Sequence, residues 1–91
     1  MSNMNRESAT ELAREKVEKL ARDSEDVFEI LLDMTLEIEE GWLFFYNTAD
    51  FVRTGDPTSA LAGNGPLLVT HRGTIHELPS SVPWVDAVKQ L

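Results

Sequence analysis

Six apolar residues, Phe28, Ile30, Leu32, Met34, Leu36 and Ile38, recur at every second position, with Glu29, Leu31, Asp33, Thr35 and Glu37 between them and Glu39 beyond. A strand sends successive side chains to opposite faces, whereas a helix brings every third or fourth residue to one side. The run is therefore expected as a strand with one buried and one wet face. Strands usually run to about five or six residues. The length here leaves room for a break or bulge near Asp33–Thr35.

A strand of this kind needs partners, and the next stretch supplies one. Gly41-Trp-Leu-Phe-Phe-Tyr46 is aromatic on both parities and too short for a helix, which fits a strand covered on both faces for part of its length. With Glu40-Gly41 as a tight turn the two strands form an antiparallel hairpin. Glu39 then faces Trp42, Glu37 faces Phe44 and Thr35 faces Tyr46, while Ile38 and Leu36 face Leu43 and Phe45. Aromatics at period two more often pack than recognise, so Trp42, Phe44 and Tyr46 are expected as core beneath a helix.

Beyond Tyr46 the sequence turns to caps. Asn47-Thr48 ends the strand, and Ala49–Thr54 has room for one or two helical turns, stopped by Gly55. Asp56-Pro57 restarts a turn with a capping aspartate and a proline in the first helical position. Gly63 is expected to stop it in a left-handed conformation. Asn64 organises the loop, and Pro66 holds Gly65 extended into the next strand. Leu67–His71 and Thr74–Leu78 then read as a second hairpin turning at Arg72-Gly73.

Helices flank this module. Ser8-Ala-Thr-Glu11 has the form of a capping box. After it, Ala9, Leu12, Ala13, Val17, Leu20 and Ala21 recur at helical steps, predicting a helix from about Ala9 to Arg22 with Glu15–Lys19 and Glu18–Arg22 as surface pairs. Near the end, Ser80 or Ser81 caps a last helix, with Pro83 in its first turn and Trp84, Val85, Val88 and Leu91 along one side. The fold class is α+β: an N-terminal helix, a four-stranded, mostly antiparallel sheet made of two hairpins joined by short helical turns, and a C-terminal helix. Residues 1–7 are expected as a flexible N-terminus and residues 8–91 as one domain.

Little in the sequence suggests catalysis. The chain has no cysteine, which excludes disulfides, thiol chemistry and thiolate metal sites. A two-residue turn puts His71 and His76 on one face as diagonal neighbours, about 7–8 Å apart, with no third ligand near in sequence. Phosphate loops, dinucleotide glycine patterns, nucleophile elbows and zinc-protease motifs are absent, so neither a metal nor a cofactor is expected. The carboxylates are expected along an open strand face and not paired in a buried cleft, so acid–base catalysis is not expected.

Charge says more about partners. The formal net charge is −8, and residues 1–40 hold 12 acidic against 5 basic side chains. Nucleic-acid binding is disfavoured, since phosphate contacts need clustered lysine and arginine. A basic protein partner is favoured. No apolar run approaches the ~20 residues of a membrane span, and Met1–Ser8 is polar, so a cytoplasmic protein is expected.

Four segments carry a resemblance: Gly41-Trp42-Leu-Phe-Phe-Tyr46, then Thr54-Gly55-Asp56, then Leu61-Ala62-Gly63-Asn64-Gly65-Pro66, then Gly73-Thr-Ile75-His76. Together they resemble the immunity protein 35 family, also called YrhB-like, over about residues 27–91. That family commonly has a longer turn where this chain has His71-Arg72-Gly73. The resemblance implies a small α+β protein that accompanies a bacterial polymorphic toxin, binds that cognate toxin domain and blocks it, with no catalytic residue of its own. A stress-related holdase chaperone, as discussed for one branch, is the alternative it implies.

On this reading Gly41, Trp42, Gly55, Asp56, Pro57, Gly63, Asn64 and Pro66 are scaffold. Candidate partner-binding residues are Glu29, Asp33, Glu37 and Glu39, with Asp50 and Arg53 in the loop that follows.

Overall fold

A computed structural model describes residues 4–61 and 64–91. Its first helix, α1, spans Arg6–Asp23, one turn earlier than the capping box predicts. Asn5 rather than Ser8 is the cap, its Oδ1 accepting from the Ser8 amide at 2.8 Å. Tertiary contacts favour the earlier start. The Met4 amide donates to the His71 carbonyl at 3.3 Å, and the Met4 side chain packs on the core. Lys19 pairs with Asp23 at 3.2 Å instead of with Glu15.

The long alternating run is divided. It yields β1 (Phe28–Ile30) and β2 (Leu36–Ile38), joined by a 3-10 turn at Leu32–Met34. The aromatic run is divided opposite it, into β3 (Gly41–Phe44) and β4 (Tyr46–Thr48). β1 pairs with β4 in a two-stranded ladder. β2 and β3 continue into β5 (Leu67–Thr70) and β6 (Ile75–Glu77), giving a four-stranded antiparallel sheet in the order β2-β3-β5-β6.

Register explains the division. Leu36 pairs with Leu43, whereas Ile30 pairs with Tyr46, so the five residues 31–35 stand opposite the two residues 44–45. Three extra residues is an odd number, and side chains alternate with period two. Phe28 and Ile30 therefore join Tyr46 on the α1 side, while Ile38, further along the same run, packs on the opposite side. One alternating sequence serves two cores.

The first hairpin turns at Glu39-Glu40, and Gly41 is inside the sheet opposite Ile38. Glu37 consequently faces Trp42 rather than Phe44. A Cβ at Gly41 would run into the Val69 carbonyl oxygen across the β3–β5 ladder, so no larger residue fits there. The second hairpin is shifted by one residue from its predicted pairing. Thr70 and Thr74 close a three-residue turn, with Gly73 at φ 88° and its amide bonded to the Thr70 carbonyl at 2.9 Å.

Two apolar layers result. Ala9, Ala13 and Val17 of α1 cover Trp42, Phe44, Tyr46, Leu67 and Val69. On the other face Ala87 and Val88 of α3 (Trp84–Val88) cover Leu43, Leu68 and Leu78. The small alanine stripe lets α1 approach the sheet closely. The last helix is shorter than its sequence pattern suggests: Pro83 is its cap, without a side-chain bond, and Val85 and Leu91 are exposed.

Between the sheets the expected caps are in place. α2 (Ala49–Thr54) ends at Gly55 in the left-handed region, and a 3-10 turn at Pro57–Ser59 follows the Asp56 cap. The stop expected at Gly63 lies outside the described residues.

Candidate functional site

The predicted partner-binding residues are all exposed, but the fold does not align them on one face. Glu29 is on β1 opposite Asn47, and Glu37 is on β2 opposite Trp42. Because the segment between them inserts an odd number of residues, their side chains leave opposite faces of the sheet. Asp33 is in the 3-10 turn, and Glu39 in the hairpin turn. The single straight acidic stripe expected from the alternation is thus split. Among the described residues, none of these four carboxylates forms an ion pair. Asp50 and Arg53 do meet, on α2, at 2.6 Å.

Polar side chains hold the loop that follows. Asn47 Oδ1 accepts from the Thr48 amide at 2.8 Å and from the Leu61 amide at 2.7 Å. Thr48 caps α2 through the Phe51 amide at 3.0 Å, and its hydroxyl donates to the Ser59 carbonyl at 2.7 Å. Asn64 Nδ2 donates to the Tyr46 carbonyl at 3.0 Å, reaching back across the loop rather than to its neighbours. Sequence reasoning singled out Asn64 but missed Asn47 and Thr48. The spacing of Thr48 ahead of a short helical run is a capping signal, while nothing local marks Asn47 as a tie to Leu61.

Where the first hairpin bends, an open groove of about 320 Å³ is lined by Leu31, Met34, Phe45, Asn64, Val82 and Trp84 among others. Met34 is 51% exposed and Leu36, nearby in sequence, 42%. Its described lining has no acid–base pair.

Among the described residues two titrations are shifted. Burial, and after it the negative charge of Glu77, raise the Tyr46 phenol above its ordinary 10.0, against a smaller opposing effect of Asn64. The Thr58 amide and hydroxyl, at 3.0 and 2.9 Å, hold the Asp56 carboxyl below its ordinary value.

The histidines are separated. The His71 and Trp42 rings pack edge to face on the α1 side, their centroids 4.8 Å apart. His76 pairs with Leu68, whose side chain belongs to the opposite layer. The three-residue turn at Gly73 causes this, and it removes the shared face that a two-residue turn predicts. Among the described residues no three His, Cys, Asp or Glu side chains gather as a metal site. No helix among them is long and apolar enough to cross a membrane. Trp42 Nε1 is buried without a hydrogen-bond partner among the same residues, which fits packing and not recognition by the indole N–H.

Comparison with known proteins bears on these features. The sequence model of one protein family, described as Immunity protein 35, matches residues 7–90. The chain is also 31% identical over 55 residues to the uncharacterized protein YrhB of Escherichia coli (strain K12), covering 59% of this chain and 58% of that protein. The chain thus spans less than two thirds of that relative's length. No solved structure matches.

Proposed function

The chain belongs to the immunity protein 35 family, and on that premise we propose that it binds a cognate toxin domain in the cytoplasm and neutralises it by occupation, without chemistry of its own. The family match across residues 7–90 carries this reading. The exposed, unpaired acids support a basic partner. Glu29, Asp33, Glu37 and Glu39 are the proposed contacts, spread over two faces of the fold, with the Asp50–Arg53 pair of α2 near Glu29. Such charges mainly accelerate association, and one or two desolvated pairs add affinity.

Co-expression with a candidate toxin domain from a neighbouring gene tests the proposal. The wild-type chain is expected to restore growth, and the combined Glu29→Lys, Asp33→Lys, Glu37→Lys variant to fail. If that variant associates with the toxin domain as fast as wild type at low salt, the acids are a solvated surface. The interface then belongs on the Asn47–Gly65 loop.

The exposed apolar side chains of Leu32, Met34, Leu36, Val82 and Val85 favour the holdase reading as the rival. A holdase suppresses aggregation of many unfolded clients without fixed stoichiometry, whereas an immunity protein forms one stoichiometric complex.

A further inference from the structure

The four-stranded sheet ends at β2, and the hydrogen bonds around it establish which main-chain groups are free. The His71 amide donates to the Glu40 carbonyl at 3.2 Å, so Glu40, Trp42 and Phe44 aim their backbone groups at β5. The intervening residues Gly41 and Leu43 aim theirs at β2, where they pair with Ile38 and Leu36. Glu37, opposite Trp42, is the residue left over. Its N–H and C=O point away from the sheet.

The side chains along this edge alternate in character. The Glu37 carboxylate leaves on the α1 side and is exposed. Leu36 leaves on the α3 side and is 42% exposed. An unpaired edge of this kind is a template for another strand, and charge on it decides which strands it accepts. A second copy of this chain is rejected: antiparallel pairing through the outward groups sets Glu37 directly against its own counterpart, and like charges directly opposite are destabilising. The far edge, β6, is less available to a basic partner because its Glu77 is already held by Lys16 at 3.1 Å.

We infer that the outer edge of β2 accepts a strand from the partner protein, with a basic side chain beside Glu37 and an apolar one beside Leu36. The inference rests on the binding role proposed above and deepens it by naming the recognised chemistry: a short extended segment alternating basic and apolar residues. Main-chain bonds at Glu37 supply attachment, and the two flanking faces supply selectivity. The 3-10 turn before β2 and the Glu39-Glu40 turn after it limit the added strand to a few residues.

A capped peptide alternating lysine and valine is the probe, with a glutamate–valine peptide as control, titrated into the isotope-labelled full chain. The lysine peptide is expected to slow hydrogen exchange at the Glu37 amide and to shift resonances of β2, while the glutamate peptide does neither. Glu37→Pro removes the outward N–H at an edge position that tolerates proline, and should abolish binding. Glu37→Gln should retain binding with a shallower salt dependence. Glu37→Lys keeps the edge and should reverse the preference toward the glutamate peptide.

Unchanged exchange at Glu37 with the lysine peptide overturns the inference, as does a Glu37→Lys variant with unreversed preference. The peptide experiment contains no toxin, so its failure leaves the neutralising role standing. A failure of growth protection, conversely, leaves the edge result standing.

Discussion

The four-stranded sheet and the loop that follows the smaller β1–β4 ladder are built on different forces. In the sheet, Leu43, Phe44, Leu67, Leu68 and Val69 are fully buried between α1 and α3. Transfer of apolar surface from water stabilises that region, and it depends on shape more than on any single bond. The ladder lends Phe28, Ile30 and Tyr46 to the α1 core, but the loop that follows it is tied by Asn47, Thr48, Asp56 and Asn64 to distant or neighbouring backbone. Burial tolerates polar change outside the core but not lost volume. A loop tied by discrete bonds tolerates lost volume but not a lost acceptor or donor.

Substitutions can break or sharpen this contrast. Trp42→Ala is expected to have the largest effect, about 3–5 kcal/mol in chemical denaturation, because it empties a large core position. Trp42→Phe should cost clearly less, since the indole N–H has no partner to lose. An equal loss for both would show that the N–H, not the volume, matters there.

In the loop, Asn47→Ala and Asn64→Ala should each cost about 1–3 kcal/mol by leaving half-buried backbone unpaired. Native-state hydrogen exchange should then report faster opening of the Ala49–Leu61 segment while β5 keeps its protection. Uniform loss across both regions would mean that the two are one cooperative unit.

Asp56 offers a milder probe. Its folded-state carboxyl is held below the ordinary 3.8, so its contribution is present at neutral pH and is lost as pH falls below that value. Asp56→Asn should flatten the acid limb of the melting-temperature profile slightly, without moving the sheet's own stability. Glu29→Lys, Asp33→Lys and Glu37→Lys should have the smallest effect, each within about 0.5 kcal/mol by thermal melting, because the side chains are exposed and unpaired.

The sequence was most informative where the governing rules are local. Gly55 at the end of a short helix and Asp56-Pro57 at the start of a turn adopt the conformations their residue types favour. The aromatic residues at period two became core for the reason their spacing suggested. Register was less legible. The shift at Gly73 depends on whether a hairpin closes over two or three residues, and both closures suit the same glycine. The split acidic face has the same origin: Leu31 and Thr35 look like ordinary members of an alternating strand until their pairing partners are known. The helix start at Asn5 needed Met4 to find His71 across the fold, a contact that no window of sequence contains.

The 3-10 turn at Leu32–Met34 also governs how chains of this design can vary in length. If the turn keeps its span, removing or adding one residue there exchanges the destinations of Phe28 and Ile30 with that of Glu29, burying a carboxylate and exposing an aromatic ring. A change of two residues keeps every side chain on its own side and alters only the reach of the turn. Tolerance of insertions and deletions at this point is therefore expected to depend on whether their count is even or odd. That predicts a deletion series whose stability alternates with each residue removed instead of declining steadily.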